Sequence, residues 1–278
     1  MHRWPQAASS GNRRSLISSP RCLVMKSVRQ IWLLLVLCHL IPVLVVWRAG
    51  WMPGFLTMAA VHLVLLGFTL YPRSTWLSPA VRRFPATRNT VHLTIDDGPC
   101  GDTLAILELL SAHRAKALFF LIGERAAARP DLVRAILAAG HQLGNHTQTH
   151  PAKTFWAYPP AAQRREIMTC QKTLTNLPGH APVWFRAPAG FRNPFLNPVL
   201  REGALTCMGW SARSFDTRPA PLPVLLDRLR PAFQPGSILL IHQGQVQSLT
   251  LLEALLAELT SHDLICDLPP ENPIPAGA

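Results

Sequence analysis

The stretch VHLTIDDGP, from Val91 to Pro99, joins a short apolar run to two adjacent acids and a Gly-Pro turn. The run Val91–Ile95 predicts a β-strand that ends at Asp96 and Asp97. Adjacent residues on a strand point to opposite faces, but a pair at the end of a strand can direct both carboxylates into one pocket. One acid could then bind a metal ion while the other accepts a proton. The alternative is an ordinary turn, which Asp-Gly pairs commonly form.

Short apolar runs with strand character alternate along the rest of the chain with segments that favour helix. Such an alternation predicts a parallel sheet with helical crossovers, either a barrel or an open doubly wound sheet. Crossovers this regular favour the α/β barrel, whose chemistry gathers at the carboxyl ends of its strands. The predicted strands are Val91–Ile95, Ala117–Ile122, His141–Gly144, Val183–Phe185, Leu205–Trp210, Ser237–Ile241 and Leu264–Cys266.

The motif HTQTH follows the third predicted strand and places His146 and His150 four residues apart. If this segment makes a helical turn, the two imidazoles meet on one face and offer two nitrogen ligands to a zinc-type ion. Together with one aspartate they would leave a coordination position open for water and substrate. Two histidines in an exposed loop are the alternative, which the position of the motif after a strand disfavours.

Further polar residues stand at the ends of later predicted strands. Arg186 follows the fourth strand, and His242 ends the sixth. An arginine beside a carboxylate keeps it ionised and oriented, while a histidine opposite can serve as a general acid. Asp216, in the segment WSARSFD, could hold that histidine in its protonated form. Each residue taken singly is more often structural, but their joint position at strand ends predicts one active site.

The motifs DDGP, HTQTH, RAPAG, WSARSFD and LLIH, in that order, resemble the five motifs of the polysaccharide deacetylase family. This family is also called the NodB homology domain or carbohydrate esterase family 4, and the resemblance covers about residues 88–268. It implies a distorted seven- or eight-stranded (β/α) barrel that binds a divalent metal ion, usually zinc. By this resemblance, Asp97, His146 and His150 would be the metal ligands.

The resemblance also implies a role for the other polar residues of the motifs. Asp96 would be the general base that deprotonates the attacking water, and Arg186 would tether it. His242 would protonate the leaving nitrogen, and Asp216 would pair with His242. The backbone N–H of Ala189 would stabilise the oxyanion. The pocket for the acyl methyl group would be walled in part by Trp210 and Leu240.

The motifs depart from the family pattern at three positions. Ala189 replaces the aromatic residue that usually precedes the glycine, and Thr217 stands where a tryptophan commonly follows the aspartate. Arg213 replaces an acid that is often found in the fourth motif. These changes concern the groove and the residues behind the ligands, so they bear on the identity of the substrate more than on the chemistry.

The formal net charge of +12 lies almost entirely at the N-terminal end of the chain. Residues 1–90 contain 11 Lys or Arg and no acid, whereas the remainder holds 16 basic and 15 acidic residues. Nucleic-acid binding would require the positive charge on the folded face that meets the phosphates, and here it flanks an apolar segment instead. The six cysteines form no CxxC pair, so neither a zinc knuckle nor a disulfide framework is predicted.

Two charge-free apolar stretches, Ile31–Trp47 and Phe55–Tyr71, predict a two-helix membrane anchor over residues 31–71. At about 1.5 Å per residue each reaches roughly 25 Å, close to the roughly 30 Å hydrocarbon core of a bilayer. Basic residues at both outer ends predict a bacterial cytoplasmic membrane protein whose catalytic domain lies on the cytoplasmic face. If only one stretch spans the membrane, this domain lies on the periplasmic face. A hairpin buried in a soluble protein is the alternative.

The domain organisation follows from these assignments. Residues 1–30 are predicted to be a basic, disordered N-terminus, of which residues 1–24 could be an over-long gene prediction. Residues 72–89 form a linker rich in Pro and Arg, and residues 90–270 form the deacetylase domain. A flexible tail is predicted over residues 271–278.

The predicted function is metal-dependent hydrolysis of an N-acyl amide, acetyl or formyl, on an amino sugar. A catalytic domain in the cytoplasm would meet lipid-linked or small N-acyl sugars, because finished polysaccharides lie outside the cell. Deformylases of lipid-linked amino sugars are relatives that fit this case. One alternative is hydrolysis of a non-sugar ester or amide. A second is a non-catalytic, membrane-tethered binding module, because a fold does not guarantee activity.

Overall fold

The computed structural model describes residues 28–74, 76–86, 88–177 and 181–271. Most of the predicted disordered N-terminus and the predicted tail beyond Glu271 lie outside the described residues. Within the described part, a helical hairpin is followed by a connecting segment and then by an α/β barrel.

The hairpin consists of two helices, α1 (Val28–Ala49) and α2 (Trp51–Leu70), which are joined at Gly50. Gly50 has a φ of 92°, a left-handed value that glycine adopts without strain. The two helices run antiparallel and lie close together. A Cβ added at Gly54, near the start of α2, would lie only 2.0 Å from the side chain of Val46, near the end of α1. A small residue at this position therefore lets the two helices approach each other closely.

Most of the described side chains of both helices are apolar and exposed. Within the described residues, α2 is the one helix long and apolar enough to cross a membrane, and the apolar part of α1, Leu35–Ala49, is shorter. Leu37 of α1 is 48% exposed and Leu63 of α2 is 69% exposed. The rest of the described chain does not bury the hairpin, which argues against the core of a soluble protein.

The barrel is built on one sheet of eight strands, β1 (Thr90–Gly98), β2 (Ala117–Leu121), β3 (Gln142–Asn145), β4 (Trp184–Phe185), β5 (Thr206–Cys207), β6 (Ala212–Arg213), β7 (Ile238–His242) and β8 (Ile265–Cys266). The strand order is β5-β4-β3-β2-β1-β7-β6, β8 pairs with β1, and all of these pairings are parallel. The predicted distorted barrel is confirmed. The sequence analysis missed β6, because a two-residue strand carries too little periodicity to detect.

The helices that surround the sheet are α3 (Thr103–Ala112), α4 (Gly123–Ala128), α5 (Pro130–Ala138), α6 (Pro160–Thr175), α7 (Leu196–Glu202), α8 (Leu222–Asp227) and α9 (Ser248–Ser261). The region after α8 continues only as a short 3₁₀ turn, Arg230–Ala232. Pro231 has no backbone N–H to continue an α-helix there, so the helical segment is shorter than its apolar pattern suggests.

Alternation along β1 separates the two layers of the core. Leu93 and Ile95 pack in the cluster between the sheet and the helices. Thr94 and Asp96 point the other way, into the barrel, where Arg186 bonds to both. Below that bond, the barrel is filled by a second cluster of Leu118, Phe120, Trp184, Met208, Trp210, Ile238 and Leu240. The polar site therefore rests on a packed apolar floor.

The segment between the hairpin and β1 is bound to the barrel. Val81 forms a parallel bridge with Met208, just after β5, and Arg83 forms an antiparallel bridge with Ser237, just before β7. The Ser211 hydroxyl also donates to the carbonyl oxygen of residue 82 at 2.7 Å. Since β5 and β6 are the two ends of the strand order, this segment lies across the gap between them and helps to close the barrel.

Candidate active site

The two acids of the first motif reach the same cavity by different routes. Asp96 continues the alternation of β1 into the barrel, and its side chain is 3% exposed. Regular alternation would turn Asp97 toward the helices, but its φ of 69° departs from strand geometry. This left-handed backbone lets both side chains line one cavity. Arg125 holds the turn, because its Nη1 donates to the Asp97 carbonyl oxygen at 2.5 Å.

His146 and His150 lie on a curled loop after β3, not on the helical turn that the spacing suggested. Left-handed backbone at Thr147 and His150, with φ of 69° and 56°, brings the imidazole centroids within 4.7 Å. Asn145 anchors the curl, since its Oδ1 accepts a hydrogen bond from the Thr147 N–H at 3.0 Å. The helical turn was the wrong local structure because side-chain hydrogen bonds to the backbone compete with helix formation here.

Asp97, His146 and His150 place three ligand atoms within 4.8 Å of one another. Asp97 Oδ1 lies 3.5 Å from His146 Nε2 and 3.3 Å from His150 Nε2. In the described part of the chain this buried oxygen has no hydrogen-bond partner, which is rare for a buried carboxylate unless an ion supplies one. Two imidazole nitrogens and one carboxylate oxygen match catalytic zinc sites that keep an open position. These residues could therefore hold a divalent metal ion.

The protonation states of the three residues suit metal binding. The His146 Nδ1–H donates to the carbonyl oxygen of Arg186 at 2.8 Å, so the neutral ring carries its lone pair on Nε2. Burial opposes ionisation of Asp97, but electrostatic interaction with the neighbouring histidines holds the pKa of Asp97 well below its usual range. Burial and the charge of His146 lower the pKa of His150 to about 4. Near neutral pH, Asp97 is ionised and His150 is neutral.

Arg186 follows β4 and is enclosed by the barrel. Its Nη1 donates to Asp96 Oδ1 at 2.7 Å and to Thr94 Oγ1 at 2.8 Å. Its Nη2 donates to the Gly209 carbonyl oxygen at 2.8 Å, and its guanidinium lies 4.2 Å from the centroid of Phe120. A buried arginine held on several sides in this way fixes the orientation of the facing carboxylate.

His242 ends β7 opposite the acids and is paired with Asp216. Its Nδ1 lies 2.6 Å from Asp216 Oδ1, and its backbone N–H donates to Asp216 Oδ2 at 2.7 Å. Burial opposes protonation of the ring, but the hydrogen bond and charge of Asp216 outweigh burial and raise the pKa of His242. The carboxylate thus occupies Nδ1 and leaves Nε2 as the free nitrogen of a ring that lines the cavity.

A single cavity of about 200 Å³ connects these groups. Arg186 and Asp216 support it from behind, and the remaining residues predicted for the site line it: Asp96, Asp97, His146, His150, Ala189, Trp210, Leu240 and His242. Ala189 has a φ of 54°. At Gly190, an added Cβ would lie 2.3 Å from the Trp210 ring, so only glycine fits beside that wall. Side chains from five separate strand ends therefore meet in one place.

The sequence analysis missed residues that position the ligands without lining the cavity. Asn145 donates through Nδ2 to the carbonyl oxygen of Ile167 at 2.9 Å, in addition to anchoring the histidine loop. Nη1 of Arg186 donates to Thr94 Oγ1 as well as to Asp96 Oδ1, so Thr94 helps to position the arginine. The Asn that directly precedes His146 was a usable signal, because asparagine favours such local side-chain hydrogen bonds. No local signal marked Thr94, whose partner is remote in sequence.

Comparison with known proteins places the chain in one family. Residues 84–207 match the family described as polysaccharide deacetylase. A chitooligosaccharide deacetylase of Bradyrhizobium sp. is 33% identical over 159 residues, which are 56% of this chain and 71% of the relative. A peptidoglycan-N-acetylglucosamine deacetylase of Bacillus cereus is 34% identical over 183 residues, which cover 62% and 66% of the two chains.

A solved structure agrees with this relationship. The family 4 carbohydrate esterase from Streptomyces lividans, in complex with acetate, superposes with a TM-score of 0.61 at 29% identity. The superposition covers 66% of this chain and 94% of the esterase. The chitooligosaccharide deacetylase of Bradyrhizobium sp. is more than 30% identical and is matched over more than two thirds of its length. The chain therefore belongs to the polysaccharide deacetylase family.

Proposed function

We propose that this protein hydrolyses the N-acyl amide, acetyl or formyl, of an amino sugar. The observation that carries the proposal is the metal-ligand set of Asp97, His146 and His150 with the Asp96–Arg186 and His242–Asp216 pairs beside it. Relatives named as deacetylases of chitooligosaccharides and of peptidoglycan N-acetylglucosamine support a sugar substrate. A membrane-tethered module without activity would have no need for two intact proton-transfer pairs around one cavity.

The ion assigned to Asp97, His146 and His150 is zinc, because their donor atoms match the ligands of catalytic zinc. When bound, such an ion polarises the acyl carbonyl and lowers the pKa of water. Elemental analysis of the purified protein should find about one zinc per chain by this ligand count. Full occupancy by another metal, with zinc absent after expression in zinc-replete medium, would reject this assignment.

The protein's own residues then have separate roles around the scissile amide. Asp96 accepts a proton from the attacking water, and Arg186 holds that carboxylate in position through a hydrogen bond. His242 donates a proton from Nε2 to the leaving nitrogen, which is needed because an amide anion is a very poor leaving group. The Ala189 N–H stabilises the oxyanion. Trp210 and Leu240 enclose the acyl group from the sides of the cavity, and Asp216 keeps His242 protonated.

The role of His242 predicts an alkaline limit of activity that Asp216 sets. The raised pKa of His242 means that the required proton is present below this pKa and is lost as the pH rises through it. Asp216→Asn removes the charge that raises this pKa, so the alkaline limb of kcat/KM should move to lower pH. Full pH profiles of both proteins measure the shift. The exposed Asp131→Asn is the matched control, and an unmoved alkaline limb in Asp216→Asn would contradict the assignment.

We further propose that the hairpin anchors the protein in a bacterial cytoplasmic membrane and that the substrate is lipid-linked. Arg192 Nη2 donates to the carbonyl oxygens of Pro72 and Ser74, at 2.9 Å and 2.5 Å, directly after α2. Pro72 also packs against Gly190, since an added Cβ there would lie 3.1 Å from its side chain. The end of α2 is thus held beside the cavity wall, so a sugar attached to a membrane lipid would be within reach.

The cytoplasmic orientation makes a prediction about topology. The basic residues before α1 and after α2 favour the cytoplasmic side for both ends of the hairpin. A reporter fused after Ala278 should be active if it requires the cytoplasm and inactive if it requires the periplasm. A reporter fused at Gly50, in the turn between the helices, should be active if it requires the periplasm and inactive if it requires the cytoplasm. These fusions serve as the control. A periplasm-specific signal at Ala278 would place the catalytic domain on the outer side.

The substrate class is tested by measuring the acid that is released. Purified, metal-loaded protein in detergent is incubated with lipid-linked and soluble N-acetyl and N-formyl sugars, and acetate and formate are quantified. Release from a sugar amide, absent with Asp96→Asn, is the expected result. Faster release from simple aryl esters or non-sugar amides would favour the alternative hydrolase. Binding of sugars with no release of acid would favour the binding module.

A further inference from the structure

Arg213 carries a charge in the active-site cavity and forms no salt bridge with the residues that the structure describes. It ends β6 and lines the cavity together with the candidate metal ligands and His242. Its Nε is buried and lacks a hydrogen-bond partner within the residues that the structure describes. A buried cationic donor without an acceptor is costly, and proteins normally pair such groups. A cation that lines the cavity without a paired carboxylate among the described residues points to an anion supplied from outside the chain.

The carboxylates of the site are already committed to other partners. Asp96 Oδ1 lies 2.7 Å from Arg186 Nη1, and Asp216 Oδ1 lies 2.6 Å from His242 Nδ1. Asp97 belongs to the candidate metal site. Asp96 and Asp216 act on Arg213 only through space, where their charges oppose the effect of burial on its pKa. After these pairings, Arg213 is the cation in the cavity lining that has no salt-bridge partner among the described residues.

Aromatic packing explains the position of Arg213 but not its donors. Its guanidinium lies 4.4 Å from the Phe215 centroid and 5.2 Å from the Trp210 centroid. Contacts of this kind use the face of the guanidinium, whereas its N–H groups project from the edge. The two rings therefore hold the group in place and leave the pair of donors on its Nη atoms for a ligand. Such a set matches the two oxygens of a carboxylate or phosphate.

We propose that Arg213 is a specificity-determining residue that binds an anionic group, a carboxylate or a phosphate, carried by the N-acyl sugar or by its linkage. This inference rests on the proposed hydrolysis of an N-acyl sugar. It predicts that the protein prefers anionic substrates to neutral oligosaccharides of N-acetylglucosamine. Because Arg213 lies beside the reacting groups, the anion belongs to the same sugar residue or to the group attached directly to it.

The test compares three sugars on the metal-loaded protein: neutral N,N′-diacetylchitobiose, N-acetylmuramic acid for the carboxylate, and N-acetylglucosamine 1-phosphate for the phosphate. Arg213→Gln should raise KM for the favoured anionic sugar by about tenfold or more, the effect of losing a charged hydrogen bond. Its kcat, and both constants for the neutral sugar, should stay within about twofold. Arg213→Lys, which keeps the charge without the planar donors, should recover part of the affinity.

Two controls make the result specific. Arg134→Gln removes an equal charge from the exposed face of α5 and should leave every constant unchanged. Thermal unfolding of Arg213→Gln shows whether the variant is folded. If it is not folded, Arg213→Lys replaces it in the comparison. Arg213→Lys should then raise KM for the anionic sugar only. Equal KM values for neutral and anionic sugars in the wild-type protein, or equal losses for both in the folded variants, would overturn the proposal.

The inference can also be separated from the proposed function. Calorimetric binding of the amine products glucosamine and glucosamine 1-phosphate needs no turnover. Suppose that the protein hydrolyses no sugar amide but binds glucosamine 1-phosphate more tightly than glucosamine, and that Arg213→Gln abolishes this difference. The proposed hydrolase activity would then be rejected and the proposed anion site would be retained. Hydrolysis of the sugars with no preference for the anionic ones would support the hydrolase and reject the anion site. If the phosphate sugar is favoured over the carboxylate sugar, a phosphate-containing linkage is the source of the anion.

Discussion

Replacing Asp97 with alanine is expected to remove the bound metal and to lower turnover by at least about a thousandfold. The variant loses the buried Oδ1 that faces both His146 Nε2 and His150 Nε2. Metal polarisation of a carbonyl contributes several kcal/mol to the transition state, and about 1.4 kcal/mol corresponds to a factor of ten. Metal content by elemental analysis and initial rates of acid release measure the two effects. His146→Ala should behave in the same way.

Matched substitutions outside the site separate ligand loss from general damage. Asp131→Ala and His113→Ala change the same residue types at exposed positions and should keep both metal and activity. Circular dichroism then shows whether each variant retains the barrel. If Asp97→Ala and His146→Ala both bind a full complement of metal, the ligand assignment is removed.

The second large effect is expected from Asp96→Asn, which should keep the metal and lose turnover by about 10²- to 10⁴-fold, the usual contribution of a general base. Asparagine has nearly the same shape but cannot accept the proton of the attacking water. Asp96 is not among the three metal ligands, so metal content should stay close to that of the wild-type protein. The comparison of activity with metal content distinguishes this variant from Asp97→Ala.

Asp96→Asn is also expected to destabilise the fold, and the activity measurement must allow for this loss of stability. Arg186 is 1% exposed and would lose its carboxylate partner, which in buried ion pairs destabilises proteins by about 3–5 kcal/mol. Rates are therefore measured well below the melting temperature of the variant. The Asp131→Asn protein, with its exposed carboxylate, serves as the control for the substitution itself. An active, folded Asp96→Asn protein would mean that a different group accepts the proton.

Much of the barrel could be predicted because its strands are local apolar runs and its functional residues stand at their ends. Val91–Ile95 and Ser237–Ile241 lie close to the observed bounds of β1 and β7. The two-residue strands were harder: β6 was missed, and β5 is shorter than the predicted Leu205–Trp210. Such short strands are defined by neighbours on the sheet rather than by their own periodicity, so a single sequence carries little trace of them.

The connecting segment illustrates a second limit. Its proline and arginine content suggested a linker, yet Val81 bridges to Met208, just after β5, and Arg83 bridges to Ser237, just before β7. Nothing local distinguishes a Pro-rich linker from a Pro-rich strand that pairs at isolated positions. The distinction depends on unpaired backbone groups near Met208 and Ser237, more than 120 residues away, which become neighbours only when the barrel curls.

The sequence by itself determined most of the alternation of strands and helices, the two charge-free apolar segments and the identities of the acids, histidines and arginines at the strand ends, because these are properties of neighbouring residues. Only the tertiary structure decided how those side chains meet. It did so through left-handed backbone at Asp97, Thr147 and His150, and through pairings such as Arg186 with Asp96. It also left the Nε of Arg213 without a hydrogen-bond partner among the described residues. Distances between residues far apart in the chain are set by how the whole barrel packs.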